Sequence, residues 1–372
     1  MMITQGFVAP GFERVADAFA MNFEDGHELG AAFAAVHDNR TIVNLWGGYR
    51  DRNRKDVWDQ QTLVQIFSTT KPIGALVVAM MVDRGLLDYD ASVAQYWPEF
   101  AAHGKDKITV AQALSHQAGL SGFAEEIDPA LWLDMPALAD ALAGLAPLFP
   151  PATRSGYHPM TWGYLADALV RRVAHESIAD ILQREVCEPA GIEFWIGLPE
   201  SEHHRCAELA KPKDMPQLGE ITPLKRAAFL TKWSAPDRGG AQWRMTPTPS
   251  ANGYGNALSV ARLYGAFAHR GDVDGVRLIR PETFDQLAKV RIDNDDLVLP
   301  YRCAWSAGVM RNVELIYGPN PNTFGHSGWG GSLGFADPDA GVSGAYVMNR
   351  QSNVLQGDPR ARRLIDALYA CL

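Results

Sequence analysis

The sequence predicts a mixed α/β fold of the α+β kind: one antiparallel sheet built from both chain ends, flanked by helices, with a mostly helical lobe inserted. Three observations predict it. Strand-like runs occur near the start, at Leu29–His37 and Thr41–Trp46, and return only near the end, at Ala304–Met310, Ser332–Ala336 and Ser343–Met348. Between about Tyr89 and Arg270 the apolar residues fall mostly at helical spacing, broken by Pro and Gly. The outer segments, Gly11–Phe23 and Pro359–Leu372, read as helices able to cover the sheet.

Taken in order, Phe12, Val15, Ala16, Phe19 and Ala20 recur at helical spacing and define the first helix. The next two strands are joined by Asp38-Asn39-Arg40, a short polar loop that predicts a β-hairpin. A helix starting at Ser68 runs through the apolar stretch Ile73–Val82 and ends near Gly85, with Pro72 in its first turn, where a missing N–H costs little. Helical spacing recurs at Pro136–Leu148, Thr161–Val173 and Ser259–His269. Between Pro189 and Pro249 lies a long irregular stretch holding Pro199, Pro212, Pro216, Pro223 and Pro236, expected to wrap over the surface near a cleft.

The bulk composition excludes several functions. At 372 residues, 47% apolar and 21% charged, the chain has the makings of a soluble protein with a large core. Its net charge is −9 and its basic clusters are short, which sets nucleic acid aside. Four scattered cysteines, without C-x-x-C spacing, predict reduced thiols. The start of the chain shows no signal-peptide pattern, and Ala75–Val82, the longest apolar stretch, is too short to span a bilayer; a cytoplasmic location is the expectation. His203-His204 has no spaced third ligand, so neither metal nor other cofactor is expected.

Two serine motifs compete for the chemistry. Gly330-Gly331-Ser332-Leu333-Gly334 matches G-x-S-x-G, the nucleophile elbow of α/β-hydrolases. That elbow must open a helix, yet Ser332 leads into Pro338 and an Asp-Ala-Gly turn. The elbow fold also places its histidine after the serine, and the last histidine here is His326. The glycines are better read as a sheet bend. Ser68-Thr69-Thr70-Lys71 is S-x-x-K, a pattern that average composition supplies about once in a chain this long. Its context lifts it. The following helix is apolar nearly all round and therefore buried, which puts Ser68 and Lys71 one turn apart on the floor of a cleft. Burial lowers a lysine's proton affinity, and a neutral amine can take the serine proton.

Two more segments supply partners. Tyr157-His158-Pro159 precedes a helix, where a phenol can enter a cleft and shuttle a proton if a nearby ammonium lowers its pKa. His326-Ser327-Gly328-Trp329 is a short strand running into glycines that allow close backbone approach; the N–H groups of Ser68 and Trp329 would form an oxyanion hole. Taken singly, each has an ordinary reading, a packed tyrosine or a strand with a turn.

Together, in this order and at these separations, the three elements resemble the serine β-lactamase and penicillin-binding-protein superfamily. That family carries S-x-x-K, then Y-x-N or S-x-N, then K-T-G, H-x-G or W-x-G. The order and spacing are most similar to class C β-lactamases and family VIII carboxylesterases. Ala113-Leu114-Ser115-His116-Gln117-Ala118-Gly119-Leu120 is similar to the family's L-L-x-H-x-S-G-L, and Glu188-Pro189-Ala190-Gly191-Ile192 to its E-P-L-G-M. The resemblance runs from about Phe12 to Leu372. It implies a single β-lactamase-related catalytic domain over 1–372, with an α/β lobe from 1–75 plus about 255–372 and a mainly helical lobe over about 76–254.

Two departures direct the expected chemistry. Pro159 stands where β-lactamases carry Asn, and offers no side-chain amide to bind a β-lactam or hold the lysine. His326 stands where they carry Lys, which removes a fixed cation. The implied function is a serine carboxylesterase acting on small neutral esters of short acyl chain. Ser68 is its nucleophile, Lys71 and Tyr157 its base and acid, and Ser68 and Trp329 its oxyanion donors. His326, Ser327, Gly328, Trp329 and Phe123 are its substrate-binding residues, and Phe123, Trp329 and the stretch Pro212–Trp233 are expected to narrow the cleft. The alternatives are a β-lactamase or D,D-peptidase acting on β-lactams, an acyltransferase, and a penicillin-binding sensor that acylates without turnover. Oligomeric state has no signature in the sequence.

Overall fold

The strand Gly30–His37 is buried along nearly its whole length, so both faces of its sheet must be covered. Its side chains alternate accordingly. Ala31, Phe33 and Ala35 enter one apolar cluster, and Ala32, Ala34 and Val36 enter another. In the computed structural model, which describes residues 4–234 and 240–372, this strand is central to a nine-stranded antiparallel sheet. From one edge the strands are Thr4–Val8, Arg40–Gly48, Gly30–His37, Val342–Met348, Leu333–Asp337, Phe324–Ser327, Met310–Arg311, Arg302–Trp305 and Ile292–Asp295. The two chain ends meet where Gly30–His37 pairs with Val342–Met348, Ala34 lying opposite Ala345. This is the expected sheet from both termini.

The hairpin turn is Asp38-Asn39, both at positive φ (47° and 60°), the conformation whose twist matches a two-residue loop. The run expected as one strand over Ala304–Met310 is two, Arg302–Trp305 and Met310–Arg311, interrupted at 306–309. The edge strand Thr4–Val8 has no apolar alternation; its middle three residues are exposed, and pairing with Arg40–Gly48 holds it.

Helices Glu13–Glu24 and Pro359–Tyr369 pack on the face bearing Phe33, through Val15, Phe19, Leu364, Ile365 and Leu368. The opposite face receives Ala257–Ala268, and the small side chains of Ala32 and Ala34 suit its close approach. Behind it runs Lys71–Asp83, buried from Lys71 through Met81. The cluster on this face is continuous from Ala34 through Ile73 and Leu76 to Leu138, Leu165 and Ile181, so one core joins the sheet to the helical region.

A second, three-stranded sheet of Val64–Gln65, Gly253–Gly255 and Phe194–Ile196 leads the chain directly into Phe67–Thr70. The four cysteines carry free thiols. Of the irregular stretch, Pro236 lies outside the described residues. Among the described residues no helix is long and apolar enough to cross a membrane, and no cluster of side chains could hold a metal ion.

Candidate active site

The expected helix at Ser68 begins differently. Phe67–Thr70 is a 3-10 turn that passes without a break into the α-helix Lys71–Asp83. In a 3-10 turn residues i and i+3 eclipse, so Ser68 and Lys71 still share a face. Phe67 sits at φ 48°, a left-handed conformation that is strained for a bulky residue and turns the chain sharply just before Ser68.

Lys71 is buried, and its Nζ donates to Ser68 Oγ at 3.0 Å, to Pro159 O at 2.8 Å and to Ser250 O at 2.8 Å. Pro159 was expected to leave the lysine without a hold, having no side-chain amide; its backbone carbonyl supplies the hold instead. Ser250, invisible to motif reasoning, provides the second carbonyl, and its own hydroxyl donates to Met160 O at 2.6 Å.

Tyr157 places its ring 4.9 Å from Lys71 Nζ, and its phenol lies beside the Ser68 hydroxyl. The ring stacks on Trp305 (5.7 Å, 10°) and meets His116 edge-on at 4.8 Å. Its backbone N–H donates to Asp296 Oδ1 at 2.9 Å, and that oxygen also accepts from Val298 and Leu299 N–H, so one buried carboxylate fixes the loop that presents the phenol. The expectation that an ammonium lowers the Tyr157 pKa is corrected: burial pushes it up, against the opposing hydrogen bond to Ser68. At neutral pH the phenol is protonated.

The neighbouring histidines are neutral. His158 Nε2 accepts from Leu120 N–H at 3.0 Å, so its proton lies on Nδ1, which donates to Gly156 O at 2.6 Å. Burial drives its pKa down to about 3, with the Gly156 bond opposing and the Lys71 charge assisting. His326 is alike: Nδ1 faces Ser327 O at 2.8 Å and must carry the proton, leaving Nε2 as a lone pair without a partner among the described residues. Burial, then the Lys71 charge, lowers its pKa to about 3. Its ring tilts over Tyr157 at 5.9 Å. A neutral acceptor therefore occupies the position at which a fixed cation was judged absent.

The turn after Phe324–Ser327, the expected oxyanion side, lines the same cavity as Ser68. Gly328 N–H donates to Ser332 O at 2.7 Å, and Gly331 N–H to Gly328 O at 3.1 Å. A Cβ on Gly328 would lie 2.2 Å from Ser332 Oγ and 2.3 Å from Ile66 O, so only glycine lets this turn reach the residues preceding Ser68. Ser332, the rival nucleophile, is buried; its Oγ donates to Ile66 O at 2.8 Å and lies 3.3 Å from Thr69 Oγ1. It staples the two turns together, and a strand follows it, not a helix. The Trp329 N–H has no hydrogen-bond partner among the described residues.

Residues that sequence reasoning missed brace this turn from behind. Gln351 Nε2 donates to Trp329 O at 3.4 Å, and Ser352 N–H to Gly330 O at 2.8 Å. Arg360 Nη2 approaches Gly330 O at 3.4 Å while the same guanidinium pairs with Asp358 (2.8 Å) and Glu28 (3.1 Å), all three buried. In the sequence Arg360 is one of three arginines, with Arg362 and Arg363, near the start of the last helix, and no spacing marks its role.

Ser68 opens onto a narrow cavity of about 50 Å³, lined by Tyr157, His326, Ser327 and Trp329 with Phe229, Leu299, Tyr301, Met310, Tyr317 and Leu355. Phe123 does not line it. Its ring is buried in the core against Trp132 at 6.0 Å. From the stretch Pro212–Trp233 it is Phe229 that reaches the cavity, its ring 5.9 Å from Trp329.

The Beta-lactamase family model matches residues 13–369. The chain is 52% identical to a novel penicillin-binding protein homolog from Caulobacter crescentus, whose crystal structure superposes with a TM-score of 0.97 over 100% of both chains. A family VIII carboxylesterase of known structure is 42% identical, with a TM-score of 0.92 over 100% of both chains. The esterase/beta-lactamase LipL of Mycobacterium tuberculosis is 34% identical over 363 residues, 93% of this chain and 82% of LipL. The chain belongs to the beta-lactamase family.

Proposed function

We propose that this chain, an esterase-type serine hydrolase, cleaves short-chain carboxylic esters through an acyl-enzyme on Ser68. The observation that carries the reading is the Lys71 amine, 3.0 Å from Ser68 Oγ with two further directions taken by the carbonyls of Pro159 and Ser250. In a neutral amine two N–H groups satisfy those carbonyls, and the lone pair faces the serine. Lys71 then accepts the serine proton as Oγ attacks the ester carbonyl. The developing oxyanion receives the N–H groups of Ser68 and Trp329. The tetrahedral intermediate collapses, the C–O bond to the alcohol breaks, and Tyr157 delivers the proton that the alcohol takes away. Water attacks the acyl-enzyme by the same route in reverse, releasing the acid and restoring Ser68.

The acyl group is short. A cavity of about 50 Å³ suits a short acyl chain better than a long one. The lining is apolar, and its nearest histidine is neutral, so it suits an uncharged acyl chain. The division into an α/β lobe and a helical lobe, with the cleft between them, belongs to the same proposal.

The test is labelling with an organophosphonate and peptide mapping. Label on Ser68, with loss of on the order of 10⁴-fold or more of p-nitrophenyl butyrate turnover in Ser68→Ala and Lys71→Ala, is expected. Label on Ser332 overturns the reading. A second reading, β-lactam hydrolysis, is favoured by the name of the relative LipL; nitrocefin turnover matching that of the ester would establish it.

A further inference from the structure

The space around Ser68 has two compartments of opposite character. The narrow apolar cavity adjoins a wide one of about 680 Å³, and Phe67, Pro159, Met160, Phe229 and Trp329 line both. Among the described residues that line it, the wide compartment carries four cations, Arg52, Lys211, Lys213 and Arg244, against two carboxylates, Glu208 and Asp214. Arg52 is already engaged, with Glu208 at 3.1 Å and Leu209 O at 3.1 Å. Among the described residues, no carboxylate lies within ion-pair distance of Lys211, Lys213 or Arg244.

This cationic excess is not a by-product of composition, because the chain as a whole carries −9. Arg244 is the anchor among the three. It is half-buried, and its charge acts on the Cys206 thiol and the Tyr254 phenol beside it, whereas both lysines stand exposed at the mouth. A guanidinium presents fixed donors that match a carboxylate, and a concave wall concentrates its field.

We infer that the ester's alcohol portion carries a carboxylate, bound in the wide compartment by Arg244 with Lys211 and Lys213. The inference rests on the Ser68 reading, with the short acyl chain in the narrow cavity and the bulkier alcohol in the wide one. Hydrolysis then yields a short-chain acid and a hydroxy acid, the ester oxygen leaving as the hydroxyl of the latter.

The experiment compares 4-(butyryloxy)benzoate with its methyl ester, which share the acyl group and ring and differ by one charge. The quantity read is the ratio of their kcat/KM values, acid over methyl ester. In Arg244→Gln the ratio is expected to fall about tenfold, and in Lys211→Gln/Lys213→Gln about threefold, while Lys107→Gln, an exposed charge outside the compartment, should leave it unmoved. Raising salt to about 0.5 M should lower the ratio in the unsubstituted protein. If Arg244→Gln fails to fold, the double lysine variant and the salt dependence carry the test. A ratio indifferent to the substitutions and to salt, with the methyl ester still cleaved, overturns the inference and leaves the Ser68 reading standing. Failure to cleave either ester, or a phosphonate label away from Ser68, overturns both.

Discussion

The two halves of the site are built in contrasting ways. On the nucleophile side, Ser68 and Lys71 are three residues apart, and a single turn brings them to 3.0 Å. On the oxyanion side, the Trp329 turn depends on Ile66, Ser332, Gln351, Asp358, Arg360 and Glu28, gathered from both ends of the chain. The first half is local geometry at the 3-10 turn that opens a buried helix. The second is a consequence of the sheet that joins the two termini. The proposed nucleophile and base are thus encoded in four residues, while the proposed oxyanion donors need the whole fold.

The strongest test of the nucleophile side within this comparison is Tyr157→Phe. The phenol is protonated and touches Ser68, so its loss should lower kcat/KM by about 10²- to 10⁴-fold, the range for a general acid–base group. The drop should be larger for ethyl butyrate than for p-nitrophenyl butyrate, because an alkoxide needs the proton more than a nitrophenolate does. Equal drops would restrict Tyr157 to activating Ser68 and would remove it from leaving-group protonation.

A smaller effect is expected from Gly328→Ala on the oxyanion side. The new methyl would meet Ser332 Oγ and Ile66 O, and neither can retreat without shifting a turn. The Trp329 N–H would be displaced, and the loss of one such donor costs about 10²- to 10³-fold in kcat. Phosphonate labelling of Ser68 should persist at a reduced rate, since the Lys71 contacts are untouched. Loss of kcat confined to below tenfold would show that the turn is not held by this contact and would erase the contrast between the halves.

The same contrast explains what was legible beforehand. S-x-x-K followed by an apolar helix, the polar loop Asp38-Asn39-Arg40 and the absence of a histidine beyond Ser332 are all local or one-dimensional facts. They predicted a helix after Ser68, the hairpin and the absence of a helix after Ser332. Asp296, which holds Tyr157 across 139 residues, and Ser250, which holds Lys71 across 179, announce themselves by no spacing at all. Thr4–Val8 and the two- and three-residue strands of the small sheet bury too few side chains to show alternation. Phe123 turns into the core against Trp132, a contact that no local spacing marks. The Tyr157 pKa was given the wrong sign because burial, the dominant cause, is not written in the neighbouring residues.

The mildest test leaves the chemistry alone and asks whether the oxyanion brace responds to pH. Glu28 is fully buried between Arg360 and the Tyr346 hydroxyl, which donates to it. Burial raises its pKa from 4.5 to about 7, against the pull of Arg360 and the Tyr346 bond, with Asp358 adding to the rise. Arg360 stays cationic, its pKa pushed up by Tyr346, Glu28 and Asp358 against its own burial. Because Glu28 keeps its proton in the folded chain after the unfolded chain has lost it, its contribution to stability is fullest below about pH 4.5 and declines as pH rises to about 7. The decline is on the order of a few kcal/mol, or several degrees in Tm. Glu28→Gln removes the titration, so its Tm should fall less between pH 5 and pH 8 than that of the unsubstituted chain, as read by thermal unfolding at each pH. Parallel Tm–pH curves for the two proteins would mean that the ion pair with Arg360 holds Glu28 ionised throughout. The turn would then be braced by a fixed charge pair and not by one that weakens as the pH rises.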